Sequence, residues 1–124
     1  MVSINGAIEV DLLAQANASH RGGRVYSGFG GQPDFVSGAL HSRGGHALIV
    51  LEAWHEPSGR SKIVPLLGSP TTSFQHSAML TEHGTATLFG RSATEQAEAL
   101  AREAADPRAH DELEAALARM ATTR

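Results

Sequence analysis

Arg24-Val25-Tyr26-Ser27-Gly28-Phe29-Gly30-Gly31-Gln32-Pro33-Asp34-Phe35 reads as a short strand passing through a glycine-rich turn into a helix. Arg24 to Tyr26 supplies the strand, and proline at position 33 suits a first helical turn, where its missing N–H costs nothing. Three glycines in four positions, 28, 30 and 31, permit positive φ and leave the backbone bare to an approaching ligand. With Pro33 as the first helical residue, Gly31 falls near the cap, and the surrounding amides point outward with the partial positive charge of a helix start. A phosphate, a carboxylate or a developing oxyanion suits such a place. A tight strand-to-helix turn with no ligand has the same sequence, so the stretch alone leaves both readings open.

Working outward, Phe35, Val36, Ala39 and Leu40 share one helical face, and Gly44-Gly45 stops the helix. Ala47-Leu48-Ile49-Val50-Leu51 is a continuous apolar run, predicting a central strand covered on both faces. Turn chemistry at Glu56-Pro57-Ser58-Gly59 and a second apolar run, Lys62 to Leu67, predict a β-hairpin over 46–67, with Pro65 at an edge or bulge. Upstream, Ile8, Val10 and Leu12 alternate with Glu9 and Asp11, and Val2 with Ile4 is the expected partner strand across Asn5-Gly6. A chain that begins inside a strand is expected to be either tightly trimmed or cut from something longer. Ala14 to Gly23 reads as a polar connection and Gly68 to Phe74 as a long loop. Short strands are expected at His76–Thr81 and Thr85–Phe89 around a turn at Glu82-His83-Gly84. Ser92-Ala93-Thr94-Glu95 is a capping box. The helix after it turns Ala97, Leu100, Ala101 and Ala104 inward, and Asp106-Pro107 starts a last helix striped by Leu113, Leu117 and Met120. The expected product is one mixed sheet containing strands near 7–12, 46–53 and 61–67, with helices from about 33, 92 and 107 packed on it.

The 124 residues make a single domain, 1–124, with an aliphatic core, since only 5% are aromatic. A net charge of −3, with Lys and Arg scattered along the sequence, gives no basic face for nucleic acid. There is no cysteine, hence no disulfide framework, thiolate nucleophile or thiolate metal site. No apolar run approaches the ~20 residues of a membrane span, and the N-terminus has no signal pattern, so a cytoplasmic location is expected.

Seven histidines raise a metal reading that the spacing does not support: His41 and His46 straddle a helix end, and no His-x-x-x-His lies on one face. Ser27 precedes a strand-to-helix turn but lacks the flanking glycines of a nucleophile elbow. Glu82-His83 could act as acid and base, or as turn residues hydrogen-bonded locally, the second being the favoured reading. Glu9 and Asp11 share a strand face that reads as solvated.

The order of motifs along the chain carries more. Val2-Ser3-Ile4-Asn5-Gly6-Ala7-Ile8-Glu9-Val10-Asp11-Leu12, Ser27 to Phe35 with Gly38-Ala39, Ser42-Arg43-Gly44-Gly45, Lys62-Ile63-Val64-Pro65, Thr81-Glu82-His83-Gly84-Thr85-Ala86, Gly90-Arg91-Ser92 and Ala105-Asp106-Pro107-Arg108 follow one another here. In that sequence they resemble the C-terminal domain of the acetyl-CoA hydrolase/transferase family, which includes acetate- and 4-hydroxybutyrate-type CoA-transferases. The resemblance runs from about Val2 to Leu117. It implies an α/β fold, an open α/β/α sandwich of the CoA-transferase type with a mixed sheet and a C-terminal helical pair. It also implies coenzyme A or acyl-CoA and a short carboxylate as substrates, with no metal. In such enzymes a glutamate attacks the thioester, passes through an anhydride and holds CoA as a glutamyl thioester.

By resemblance, the glycine-loop amides that face CoA and the oxyanion carry over onto Gly30 and Gly31, with Gly31 the oxyanion contact and Ser27 and Gly28 lining the same pocket. The family's nucleophilic glutamate belongs to a segment upstream of the match to Val2, and neither Glu9 nor Glu82 takes its place. Ser37, where relatives often carry a basic residue, and Phe29, in place of a smaller aliphatic, are departures that bear on substrate and CoA contacts. The expected function is the C-terminal half of a CoA-transferase or acyl-CoA hydrolase, working with an upstream catalytic half. The alternative is a non-catalytic CoA-binding or protein-interaction module that keeps the fold. A separated half is expected to expose an apolar face and to self-associate into a homo-oligomer.

Overall fold

A computed structural model of the chain describes residues 1–28, 30–71 and 74–123. Phe29 in the glycine turn, and Thr72 and Ser73 in the 68–74 connection, lie outside the described residues. In chain order the strands and helices are β1 (Val2–Gly6), β2 (Glu9–Asp11), β3 (Ala16–Asn17), β4 (His20–Arg21), β5 (Arg24–Val25), α1 (Gln32–His41), β6 (His46–Val50), β7 (Trp54–His55), β8 (Arg60–Ser61), β9 (Ile63–Val64), β10 (Ala78–Thr81), β11 (Gly84–Thr87), α2 (Ala93–Ala99) and α3 (His110–Thr122). A π-helical turn, Leu100–Ala104, extends α2, and a 3-10 turn, Pro107–Ala109, leads into α3. No helix among the described residues is long and apolar enough to cross a membrane.

The main sheet is mixed and ordered β1-β6-β10-β11, the first three strands parallel and the last antiparallel. The run at 46–51 is interior to it, as its apolar character predicts. It is not covered on both faces: Ala47 and Ile49 are buried, whereas Val50 is 43% exposed. Val36 and Ala39 of α1 pack on Ala47, while Leu100 and Ala104 join Ile49, Met79 and Ala86 in the core. Residues two apart on a strand share a face, so these helices all cover one side of the sheet. The other side presents Val2 at 57% and Ile4 at 66% exposure, with Leu48 and Val50 beside them in register.

Two expected pairings are corrected. Val2–Ile4 does not fold back on β2; β1 runs parallel to β6 instead. A two-residue hairpin at Asn5-Gly6 needs positive φ, and Gly6 does not adopt it, so the chain continues and bends into another sheet. The region 46–67 is likewise no single hairpin. Gly59, at φ 62, reverses the chain, but only Trp54 with Ser61 and His55 with Arg60 pair across the turn. Both edges of β6 are occupied by β1 and β10, so Ile63–Val64 goes to β2, forming a second sheet ordered β3-β2-β9. The strands near 7–12 and 61–67 therefore belong to this second sheet and not to the one built on 46–50.

Asp11 is also corrected. Far from lying on a solvated face, it is fully buried, and its carboxylate accepts from the backbone N–H groups of Leu13, Gln15 and Leu67 and from the Gln15 amide. The polar connection at 14–23 proves to contain β3, paired with β2, and β4, paired with β5, two-residue strands too short to leave a periodicity to read.

The helix signals hold. Ser92 and Glu95 complete the reciprocal capping box, and Asp106 caps the turn at Pro107. Gly44 takes φ 65 to leave α1, and a Cβ on Gly45 would collide with the Ala39 carbonyl and the Ser42 hydroxyl.

Candidate functional site

The glycine turn springs from the β4–β5 ribbon. Asn17, fully buried, accepts from the amides of Ser19 and His20 and donates to the His20 carbonyl at 2.7 Å. The Ser19 carbonyl in turn accepts from Tyr26 and Ser27 N–H at 2.7 and 3.2 Å. Gly30 then adopts φ 61, a left-handed conformation that suits glycine, and Gly31 is itself the N-cap of α1. Helix starts at Gln32, so Pro33 is its second residue, one position later than the sequence reading. No side chain caps this end, and Pro33 has no amide to cap. Amides of the first turn are thus left to solvent or a ligand, with the positive end of a ten-residue helix behind them.

A cavity of about 260 Å³ opens beside this helix start, lined among others by Ser19, His20, Gln32, Pro33, Thr71 and Phe74. The side-chain Nε2 of Gln32 is buried without a hydrogen-bond partner, a donor aimed at no protein group. None of Ser27, Gly28, Gly30 and Gly31 is among the described residues that line the cavity. Ser27 is exposed, and its hydroxyl donates to the Gly28 carbonyl at 3.1 Å. Of the residues carried over by resemblance, the structure places Gly30 and Gly31 at the helix start. Gln32 and His20 were not read from the sequence; only the adjacency of Gln32 to the turn could have suggested it.

The carboxyl ends of β1, β6 and β10 lie at one edge of the main sheet. At the opposite edge, where those strands begin, the Met1 carbonyl accepts from His46 N–H, and Ser42, just past α1, approaches it. With the end of α1 there, its start and the glycine turn lie toward the carboxyl edge, since ten helical residues and five strand residues each span about 15 Å. Ligands of open α/β sheets bind at that edge.

Glu82 and His83 lie on the same edge, and their hydrogen bonding is not local as expected. Both Glu82 oxygens accept from Ala53 N–H, at 3.1 and 3.0 Å, across 29 residues. His83 Nε2 meets Asp106 Oδ2 at 3.2 Å, and Arg108 binds both Asp106 oxygens. The Arg108 guanidinium holds the Asp106 carboxyl well below its ordinary range, and Asp106 raises Arg108. Ligand atoms of Glu82, His83 and Asp106 lie within 4.8 Å of one another, each already engaged by a protein partner, so they clamp the β10–β11 turn to the helical hairpin.

Residues 1–117 match the family model of the acetyl-CoA hydrolase/transferase C-terminal domain. A probable butyrate:acetyl-CoA coenzyme A-transferase of Syntrophomonas wolfei is 46% identical over 118 residues, covering 90% of this chain and 26% of that protein. A 4-hydroxybutyrate coenzyme A transferase of Clostridium kluyveri is 38% identical over 81% of this chain and 24% of its own length. Among solved structures, RipA from Yersinia pestis superposes with a TM-score of 0.85 at 37% identity, over 96% of this chain and 27% of that one. A 4-hydroxybutyrate CoA-transferase from Porphyromonas gingivalis gives 0.77 at 32%, over 97% and 27%. The chain spans about a quarter of the length of the relatives it matches.

Proposed function

The chain belongs to the acetyl-CoA hydrolase/transferase family, as its C-terminal domain, and on that premise we propose that it forms the CoA-facing half of a cytoplasmic CoA-transferase or acyl-CoA hydrolase acting on short-chain acyl-CoA. The observation that carries this reading is the start of α1, uncapped by any side chain at Gly31, whose first residues Gln32 and Pro33 line a cavity of about 260 Å³. A cavity of that size suits a short acyl group. The Gly31 amide is the oxyanion contact, Gly30 gives the turn its shape, and Ser27 and Gly28 lie along the approach. Preorganised amides stabilise the oxyanion of a thioester under attack, and one such donor is worth on the order of 3 kcal/mol.

The attacking carboxylate comes from the part corresponding to the three quarters of the relatives' length that this chain does not span, on the same or on a separate polypeptide. That part docks on the uncovered apolar face carrying Val2, Ile4 and Val50. Without it, the same face drives self-association.

Thioester cleavage is the test, assayed for the chain alone and for the chain mixed with the remaining three quarters of a relative. Turnover is expected only in the mixture. Gly31→Pro, which removes one amide donor, is expected to lower it by a factor on the order of 10²–10³. Robust turnover by the chain alone, abolished by changing Glu9 or Glu82, would place the nucleophile here and overturn the division of roles.

A further inference from the structure

Lys62 is the chain's only lysine and therefore its only side-chain amine. It is the joint between two strands, since β8 ends at Ser61 and β9 begins at Ile63. Its backbone is held from both sides: the N–H donates to the Ala53 carbonyl at 2.8 Å, and the carbonyl accepts from Val10 N–H at 2.9 Å. The Ser61 hydroxyl donates to the Ile63 carbonyl at 2.6 Å and accepts from Ile63 N–H at 3.1 Å, bridging over residue 62. Ile63 is buried, and successive residues of an extended chain face opposite sides, so the lysine side chain is sent outward. The result is a half-buried amine on a rigid base.

Lys62 lines a second and larger concavity, about 770 Å³, walled by residues just past β1, by the β7–β8 hairpin and by the start of the last helix. The fold gathers Arg21, Arg60 and Arg108 around the same groove, together with two carboxylates, Glu9 and Glu112. Arg108 is committed to Asp106 and Glu56, and its guanidinium lies over the Trp54 ring at 4.0 Å. Lys62, Arg21 and Arg60 have no carboxylate within ion-pairing distance among the described residues. Conversion of this amine to an amide therefore breaks no ion pair. No arginine can replace it as a nucleophile, because a guanidinium stays protonated in proteins. What the two unpaired arginines add is attraction for an anionic reagent and donors for its oxygens.

We propose that Lys62 is an acylation site, taking its acyl group without a second enzyme from an anionic activated donor, a CoA thioester or an acyl phosphate. The neutral amine attacks the acyl carbon with the Nζ lone pair and forms a C–N amide bond. The bond from that carbon to sulfur, or to the phosphate oxygen, breaks. The carrier leaves with the electron pair, and the proton shed by nitrogen passes to it or to water. Each chain consumes one donor and stops, so this is a modification and not turnover. The donor class rests on the proposed function, but the step uses neither the glycine turn nor any partner.

Intact mass and peptide mapping of the 124-residue chain after incubation with acetyl-CoA read the modification. The Met1 α-amino group is the other amine and serves as internal reference, since Met1 does not line the groove. The ratio of Lys62 to Met1 acetylation is expected to be about tenfold or more higher in the folded chain than in chain unfolded in guanidinium chloride. Added salt is expected to lower it. Arg21→Gln with Arg60→Gln, both at exposed positions, is expected to lower it severalfold without altering the circular dichroism spectrum. A ratio no higher in the folded chain overturns the proposal, as does a folded double variant acetylated like the parent. Should the double variant not fold, a ratio indifferent to salt in the parent overturns it equally. Acetyl phosphate in a parallel arm separates the sources: selectivity with one donor alone assigns that donor, and selectivity with both supports the site for either. S-acetyl-N-acetylcysteamine, a neutral thioester, is expected to show no such selectivity, and equal selectivity with it overturns the part given to the arginines. Lys62 acetylated while the complemented mixture turns over no thioester sinks the proposed function and keeps this site; turnover with Lys62 unmodified does the reverse.

Discussion

The carboxylate of Asp11 accepts the backbone N–H of Leu67, 56 residues later, at 3.1 Å in the interior of the protein. Three further N–H groups, from Leu13 and from the main chain and side chain of Gln15, converge on the same two oxygens at 3.0 Å. One side chain thereby closes the β2–β3 turn and fixes the segment that follows β9.

Asp11→Leu is therefore expected to destabilise the fold by roughly 3 kcal/mol or more, since it leaves several buried donors unpaired and each costs about 1–3 kcal/mol. Asp11→Asn keeps one acceptor oxygen and should lose less. Urea midpoints of the two variants decide; equal losses would mean that the acceptor oxygen retained by asparagine contributes nothing.

Asp11 also shows where sequence reading stopped. Elements whose signals are local were legible: the Ser92–Glu95 box, the Asp106-Pro107 start, the glycine exit from α1 and the strand at 46–50. Pairings decided by distant partners were not. An isolated alternation such as Ile8 to Leu12 says that one face is buried, but not that β9 lies beside it, nor that an aspartate on the supposed outer face has four donors waiting. At the candidate site the glycines were legible because φ and helix starts constrain them. The gathering of Arg21, Lys62 and Arg108 around one concavity was not, because they meet only through the fold.

His76 is 1% exposed, and neither ring nitrogen meets hydrogen-bond geometry with a protein atom. Burial pushes its pKa from 6.5 down to about 4, outweighing a nearby Ala14 backbone group that favours the charged ring. Between those two values the unfolded chain holds a proton that the folded chain does not. Stability should thus fall as pH is lowered from about 6.5 to about 4, by roughly 3 kcal/mol in all. His76→Leu removes that contribution. If chemical denaturation of this variant shows the same pH slope as the parent, His76 is not its source.

Val2, Ile4 and Val50 are each more than two-fifths exposed on the helix-free face of the main sheet. Sedimentation of the isolated chain should accordingly show concentration-dependent association, reversed by Ile4→Lys with Val50→Lys. The same double variant should fail to be complemented by the missing three quarters of a relative. A monomer at high concentration that is still complemented after both substitutions would remove this face from the docking proposal.

Gly30 and Gly31 separate shape from chemistry. Gly30 sits at φ 61, where an L side chain is strained, so Gly30→Ala should cost about 1 kcal/mol of stability. Gly31 has φ −89 and ψ 0, open to any residue, and what its missing side chain provides is room. A Cβ there would sit 2.8 Å from Cε2 of Phe35, a ring that is 54% exposed and free to swing away. Gly31→Ala should therefore leave the thermal midpoint of the chain within a few degrees, while its methyl group crowds the amide proposed to face the oxyanion. In the complemented enzyme, turnover should drop about tenfold or more for Gly31→Ala despite intact folding, a split that a purely structural turn does not produce. Thermal melts of the chain beside thioester cleavage by the mixture give both quantities. Full turnover with alanine at position 31 would show that no ligand comes close to this turn, and the oxyanion role would have to be sought elsewhere along the carboxyl edge.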